Sequence, residues 1–210
     1  PKSLDKNPAK ILTAIQRLFF LLMTSCMISS QAAYAQESSK SALPEYFITC
    51  DPDSFAFINA NPQIDHFIPV TISYQNKTWT DTRMRIRGDG TRKLPKKSYK
   101  IQFDGEPFAN GRGTLNLNAE YEDRSYIHAI VSSRLMRESG QHCFVAEPVR
   151  VFLNGDFLGL YIAIENMDEQ FLEARNLDKD GNLYKATLDG ACLSMLDDVN
   201  FHWEKKTGAN

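Results

Sequence analysis

Between Arg83 and Phe103 the chain reads R-M-R-I-R-G-D-G-T-R-K-L-P-K-K-S-Y-K-I-Q-F. Five cations (Arg85, Arg87, Arg92, Lys96, Lys97) crowd two glycines there, with Lys93 and Lys100 close behind. Loop glycines can turn backbone N–H groups toward an anion, and cations on the flanking strands then complete a nest for phosphate. In such a nest Gly88, Asp89 and Gly90 would approach the phosphate. Lys97 or Lys100, on the following strand, would reach a phosphate oxygen, with Arg87 as a third candidate. In a regular strand Lys97 and Lys100 face opposite ways, so one of the two points away, and the sequence leaves open which. The plain alternative is a hairpin whose charges are solvated.

The elements that must position this loop are legible as strands. Met84 and Ile86 before it, and Tyr99, Ile101 and Phe103 after it, alternate with polar residues, the period of a half-buried sheet. Further strands are expected over 45–50, 67–74, 79–87 and 115–117, with Phe55–Ile58 open between a helical turn and a strand. Ile127, Ile130, Val131 and Leu135 recur at helical spacing between Asp123 and Ser139, and Gly140 supplies a stop; this is the main helix. Asn154-Gly155 between two apolar runs is a hairpin signal. The second run, Phe157 to Ile164, is apolar nearly throughout and should be covered on both faces. Asp168 should cap a short helix over 169–175, followed by strands near 183–186 and 199–203. The expected fold class is α+β, a mostly antiparallel sheet with one main helix.

The first 35 residues differ from the rest. Lys2, Lys6, Lys10 and Arg17 precede an uncharged run from Leu18 to Gln36 that ends in Ala33-Tyr34-Ala35, the pattern of a secretory signal peptide with its cleavage site. We therefore divide the chain into a signal peptide (1–35), a polar linker (36–44) and one domain (45–210), and expect an exported protein that meets a membrane only transiently, through its leader. The alternatives are an uncleaved anchor and a lipoprotein, since Met23-Thr24-Ser25-Cys26 loosely resembles a lipoprotein box. Without residues 1–35, which hold four of the 24 Lys+Arg and one of the 26 Asp+Glu, 20 basic residues face 25 acidic ones, a net charge of −5. That acidity argues against a nucleic-acid partner and sets the basic loop apart from its background. Cys50, Cys143 and Cys192 show no C-x-x-C spacing, and the four histidines show no metal-ligand spacing. Asn176, Asp178, Asp180 and Gly181 mimic the start of a calcium loop, but Thr187 stands where the bidentate carboxylate would be needed.

R-I-R-G-D-G followed by L-P-K-K-S-Y-K-I-Q-F resembles the signature of the CotH family of spore-coat-type atypical protein kinases. V-F-L-N-G-D-F-L-G-L-Y-I-A-I-E, D-E-Q-F-L and G-N-L-Y-K-A-T resemble that family's later landmarks in the same order, so the similarity runs over about residues 45–210. The resemblance implies the N-terminal lobe of a distant kinase-like fold, ATP with Mg2+, and phosphoryl transfer to serine-type hydroxyls of coat or surface proteins. It places Glu165 where a kinase-like hinge would meet the adenine; the residue-level alternative is a carboxylate favoured by the helix that follows. The family's metal-binding and catalytic aspartates are expected beyond Asn210, so no catalytic or metal-binding residue is assigned within the chain, and this segment alone is expected to be inactive. Gly88-Asp89-Gly90 stands where the family more often has G-N-S. A second reading is a non-catalytic coat or surface module that holds an anionic partner through the basic loop.

Overall fold

The computed structural model describes residues 43–186 and 203–207. The expected leader, most of the linker, Cys192 and residues 199–202 lie outside them. Among the described residues no helix is long and apolar enough to cross a membrane.

Seven strands close into a barrel: β1 (Glu45–Thr49), β2 (Ile68–Tyr74), β3 (Lys77–Arg87), β4 (Ser98–Phe103), β5 (Thr114–Asn118), β6 (Ala146–Leu153) and β7 (Asp156–Glu165). The order around the wall is β1-β2-β3-β4-β5-β7-β6. Neighbours are antiparallel except at the seam, where β6 runs parallel to β1 and pairs Tyr46 with Val151. Alternation explains the interior. Ile48, Ile72, Met84, Ile86, Tyr99, Ile101, Leu115, Leu117, Val149, Val151 and Tyr161 point inward and are almost fully buried. Closure leaves no strand of the barrel with an unpaired edge. The expected α+β character holds, and what the sequence did not announce is that the sheet closes on itself.

The connection over Asp104–Gly113 plugs one end of the barrel. Phe108 lies among Tyr46, Tyr74, Trp79 and Phe103 with ring centroids 4.8–5.8 Å away. Trp79 Nε1 donates to Pro107 O at 3.0 Å, which fixes the plug. The segment around Phe55 resolves as helix α1 (Pro52–Ala60). Asp51 caps it by accepting from Ser54 N at 2.8 Å, and Pro52 occupies the first turn, where its missing N–H costs nothing. The Asn154-Gly155 hairpin forms as expected, with both residues at positive φ (50° and 93°) as that turn demands.

Two expectations are corrected. The main helix, α2 (His128–Glu138), starts five residues later than Asp123. Tyr126 has φ +59°, a left-handed conformation that cannot continue a helix, and Asp123 reaches forward to accept from His128 N at 3.0 Å. Most of its apolar stripe also faces outward, with Ile127, Val131 and Leu135 51–65% exposed and Ile130 half-buried. The helix lies against β6, and the buried residue within it is Ser133, whose hydroxyl donates to Ile130 O and whose small size permits close approach. The Leu135→Gln variant should therefore shift the chain's unfolding free energy by less than about 0.5 kcal/mol. Urea denaturation checks this, and a loss of several kcal/mol would mean that the stripe is packed. The second correction concerns β7, which is buried on both faces only over Tyr161–Ala163. Phe157 is 56% exposed and lies beside Phe152 and Arg150 outside the barrel.

Beyond β7, Asp168 caps the short helix α3 (Glu169–Glu173), accepting from Phe171 N at 3.3 Å. β8 (Tyr184–Ala186) and β9 (Trp203–Lys205) form a separate two-stranded sheet. Its end is tied by Thr207, whose hydroxyl accepts from Leu183 N and donates to Gly181 O. Cys50 and Cys143 are free thiols.

Candidate functional site

The register of β3 and β4 sorts the cations. Arg85 pairs with Lys100 and Arg87 with Ser98, while their neighbours Ile86 and Tyr99 fill the barrel, so Arg85, Arg87 and Lys100 share the outer face. Asn116 sits beside Lys100 on β5, and Asn118 continues the same row. Between the strands Gly88 adopts φ +108°, and a Cβ there would stand 2.3 Å from Thr91 Oγ1. The position admits glycine on both counts. Gly90 opens a 3-10 turn over Gly90–Lys93 and meets nothing within 4 Å. Asp89 is exposed, and its carbonyl accepts from Arg92 N at 3.1 Å.

Three of the loop cations are turned to the fold itself. Arg92 is buried; its guanidinium donates to Gly88 O, Pro62 O and Asp65. Lys97 Nζ donates to Arg92 O and Leu94 O, both at 2.7 Å, and so ties the turn to the start of β4. Lys96 Nζ donates to Ala119 O, Tyr126 Oη and Leu160 O. Lys100 differs from these three. Among the described residues its ammonium makes no hydrogen bond or ion pair, although it is half-buried. Burial, then Arg85, Arg87 and Lys206, push its pKa below the ordinary lysine value, and Asp168 opposes them. Arg87 is likewise lowered, first by burial and then by Arg85, with Glu120 opposing; its guanidinium donates to Asn118 Oδ1. Cations gathered on one partly desolvated face repel one another, and an anion placed among them would relieve that repulsion.

Two clefts flank this face. One, of about 510 Å³, is lined by Arg87, Gly88, Lys96, Asn118, Asp123 and His128 among others. Its far wall is acidic. Asp123 has its pKa lowered to about 2, chiefly by the Ser125 hydroxyl and also by the backbone N–H groups of His128 and Ser125, and it stands 3.2 Å from His128 Nδ1. The other cleft, of about 550 Å³, is lined by Arg112, Arg137, Glu165, Asn166, Asp168 and Arg175 among others. Glu165 is engaged there rather than free. Its carboxylate accepts from Arg175 at 2.7 and 3.0 Å and from Val145 N at 3.0 Å, and the Arg175 guanidinium lies 3.7 Å from the centre of the Phe171 ring. The structure thus brings Arg87, Gly88 and Lys100 to one face, turns Lys97 into its own loop, and sets Glu165 in a separate cleft.

Sequence reasoning missed Asn116 and Asn118, and read Asp168 only as a helix cap. Asn116 Nδ2 donates to Asn166 Oδ1 at 3.2 Å and Asn166 Nδ2 to Asp168 Oδ2 at 2.6 Å, a polar chain running from beside Lys100 to the cap of α3. The signal was available in T-L-N-L-N, where the alternation that buries Leu115 and Leu117 must turn both asparagines out.

Residues 84–210 match the family described as CotH kinase protein. The chain is also 30% identical over 178 residues to the inner spore coat protein H of Bacillus subtilis (strain 168), an alignment covering 81% of this chain and 49% of that protein. The chain therefore spans about half the length of that curated relative.

Proposed function

The chain belongs to the CotH family, and from that premise we propose that residues 45–210 are the nucleotide-binding part of an atypical protein kinase. In this reading the barrel serves as the N-terminal lobe of a kinase-like fold, and ATP with Mg2+ is the phosphate donor. The acceptors are serine or threonine hydroxyls on coat or extracellular proteins. The leader-like residues 1–35 and the spore-coat relative support an exported protein.

The observation that carries the proposal is Lys100. It is a half-buried cation without hydrogen bond or ion pair among the described residues, between Arg85 and Arg87 and on the face reached by the Gly88 loop. Lys100 and Arg87 are assigned to the phosphates, and Gly88, with Asp89 and Gly90, to the close backbone approach that phosphoryl transfer requires. Lys97 acts through the loop that it ties together. Glu165 contributes position rather than its carboxylate, which Arg175 holds. Among the described residues no three His, Cys, Asp or Glu side chains come together to hold a metal ion, so no Mg2+ ligand is assigned there. A coat module gripping an anionic partner through the loop has less support, because Arg92, Lys96 and Lys97 are turned to carbonyl groups of the fold.

Titration calorimetry with MgATP at several pH values tests the reading. Unliganded Lys100 titrates below the usual lysine range, and a phosphate beside it restores its affinity for the proton. Binding should therefore take up a proton at alkaline pH, and affinity should fall as the pH rises through the depressed value. The same depression acts on stability in the opposite sense. The unfolded chain binds the Lys100 proton more tightly, so this group's contribution to stability rises with pH over that window. Saturable binding with proton uptake supports the assignment. Binding without proton uptake removes Lys100 from the site, and absence of saturable MgATP binding sinks the nucleotide reading.

A further inference from the structure

Lys96 is a cation without a carboxylate partner among the described residues. It stands in the stem of the glycine loop, before β4. Its ammonium donates to Ala119 O at 2.9 Å, to Tyr126 Oη at 3.1 Å and to Leu160 O, and lies 4.2 Å from the centre of the Tyr161 ring and 4.9 Å from that of Tyr126. Three backbone or phenol oxygens use all three of its donors, and two aromatic faces supply the remaining compensation for the charge. Gly159, at φ +144°, leaves room for the stem; a Cβ there would touch Lys96 Cε at 3.4 Å. The segments that meet at this ammonium are far apart in the chain: the loop stem, the end of β5, the middle of β7 and the entry to α2.

The entry to α2 is the strained partner. Tyr126 holds φ +59°, a conformation rare for a bulky side chain that persists where surrounding contacts enforce it. Two residues later His128 opens α2 and lines the cleft that Arg87, Gly88 and Lys96 also line. We infer that Lys96 is a positioning residue, a latch that sets the separation between the glycine loop and the first turn of α2 through its bond to the Tyr126 hydroxyl. Loop and helix then move together, and the width of the cleft between them depends on a contact that touches no ligand. Only the last consequence, that this width tunes nucleotide affinity, rests on the function proposed above.

Hydrogen–deuterium exchange on the unliganded chain tests the latch. Tyr126→Phe keeps the ring and removes one hydrogen bond. It should speed amide exchange about fivefold both in residues 88–94 and in residues 128–131, with β1 and β2 unchanged. Lys96→Met should do the same more strongly. Should that variant fail to fold, Tyr126→Phe alone decides. Faster exchange confined to either segment, or spread evenly over the barrel, overturns the latch, because a merely structural lysine would loosen its surroundings without linking these two segments. In a second arm, saturating MgATP should slow exchange in both segments of the wild-type chain but only in the loop of Tyr126→Phe. If MgATP protects neither segment of the wild type, the nucleotide reading fails, and the unliganded comparison still decides the latch.

Discussion

The Arg175→Met variant should lose about 1–3 kcal/mol of stability, because it leaves the Glu165 carboxylate without its ion-pair partner on the largely covered wall of the cleft. The side chains of the pair are 14% and 13% exposed. Arg175 also donates to Phe171 O and Cys143 O, so one side chain fastens the end of β7, α3 and the segment before β6. Removing it strands two carbonyls and a carboxylate together. The double variant Glu165→Gln/Arg175→Met should recover a large part of the loss, since the buried charge goes with its partner. Chemical denaturation of the two single variants and the double variant gives the coupling. Equal losses in Arg175→Met and the double variant would show that the charge itself is not what the pair protects.

The second large effect separates two lysines that lie three residues apart. Lys100→Ala should weaken MgATP binding by about 10–100-fold, the worth of one charge-assisted contact to phosphate. It should leave stability unchanged or slightly raised, because a half-buried cation among Arg85, Arg87 and Lys206 is relieved. Lys97→Ala should do the reverse. It strands Arg92 O and Leu94 O, costs about 1–3 kcal/mol, and reaches the nucleotide only by loosening the loop. Melting curves and MgATP titrations on both single variants check the contrast. If Lys97→Ala abolishes binding in a chain as stable as the wild type while Lys100→Ala binds normally, the two roles are exchanged.

The strands around the glycine loop, the Asn154-Gly155 hairpin and the Asp168 cap follow from rules that act over a few residues: period-two burial, turn conformation and a side chain closing its own helix. Family membership is legible for the same reason, since the motifs are short and their order survives in a linear reading. Asn116 and Asn118 were missed, although the outward phase of a strand whose leucines are buried announces them.

What the tertiary structure alone decided is where each charge spends itself. Lys96, Lys97 and Arg92 look like Lys100 in the sequence, yet their ammonium and guanidinium groups close on carbonyls of Ala119, Leu160, Leu94 and Gly88. Leu94 and Gly88 are supplied by the turn itself, whereas Ala119 and Leu160 meet Lys96 only because the barrel closes and brings β5 and β7 beside the loop. The α2 stripe shows the same limit from the apolar side. Spacing establishes that Ile127, Val131 and Leu135 share a face, but burial of that face requires a surface opposite it, and the barrel meets the helix through Ser133 instead. Local propensity is written residue by residue, whereas the partner that satisfies a charge or covers a face is chosen by closure of the fold.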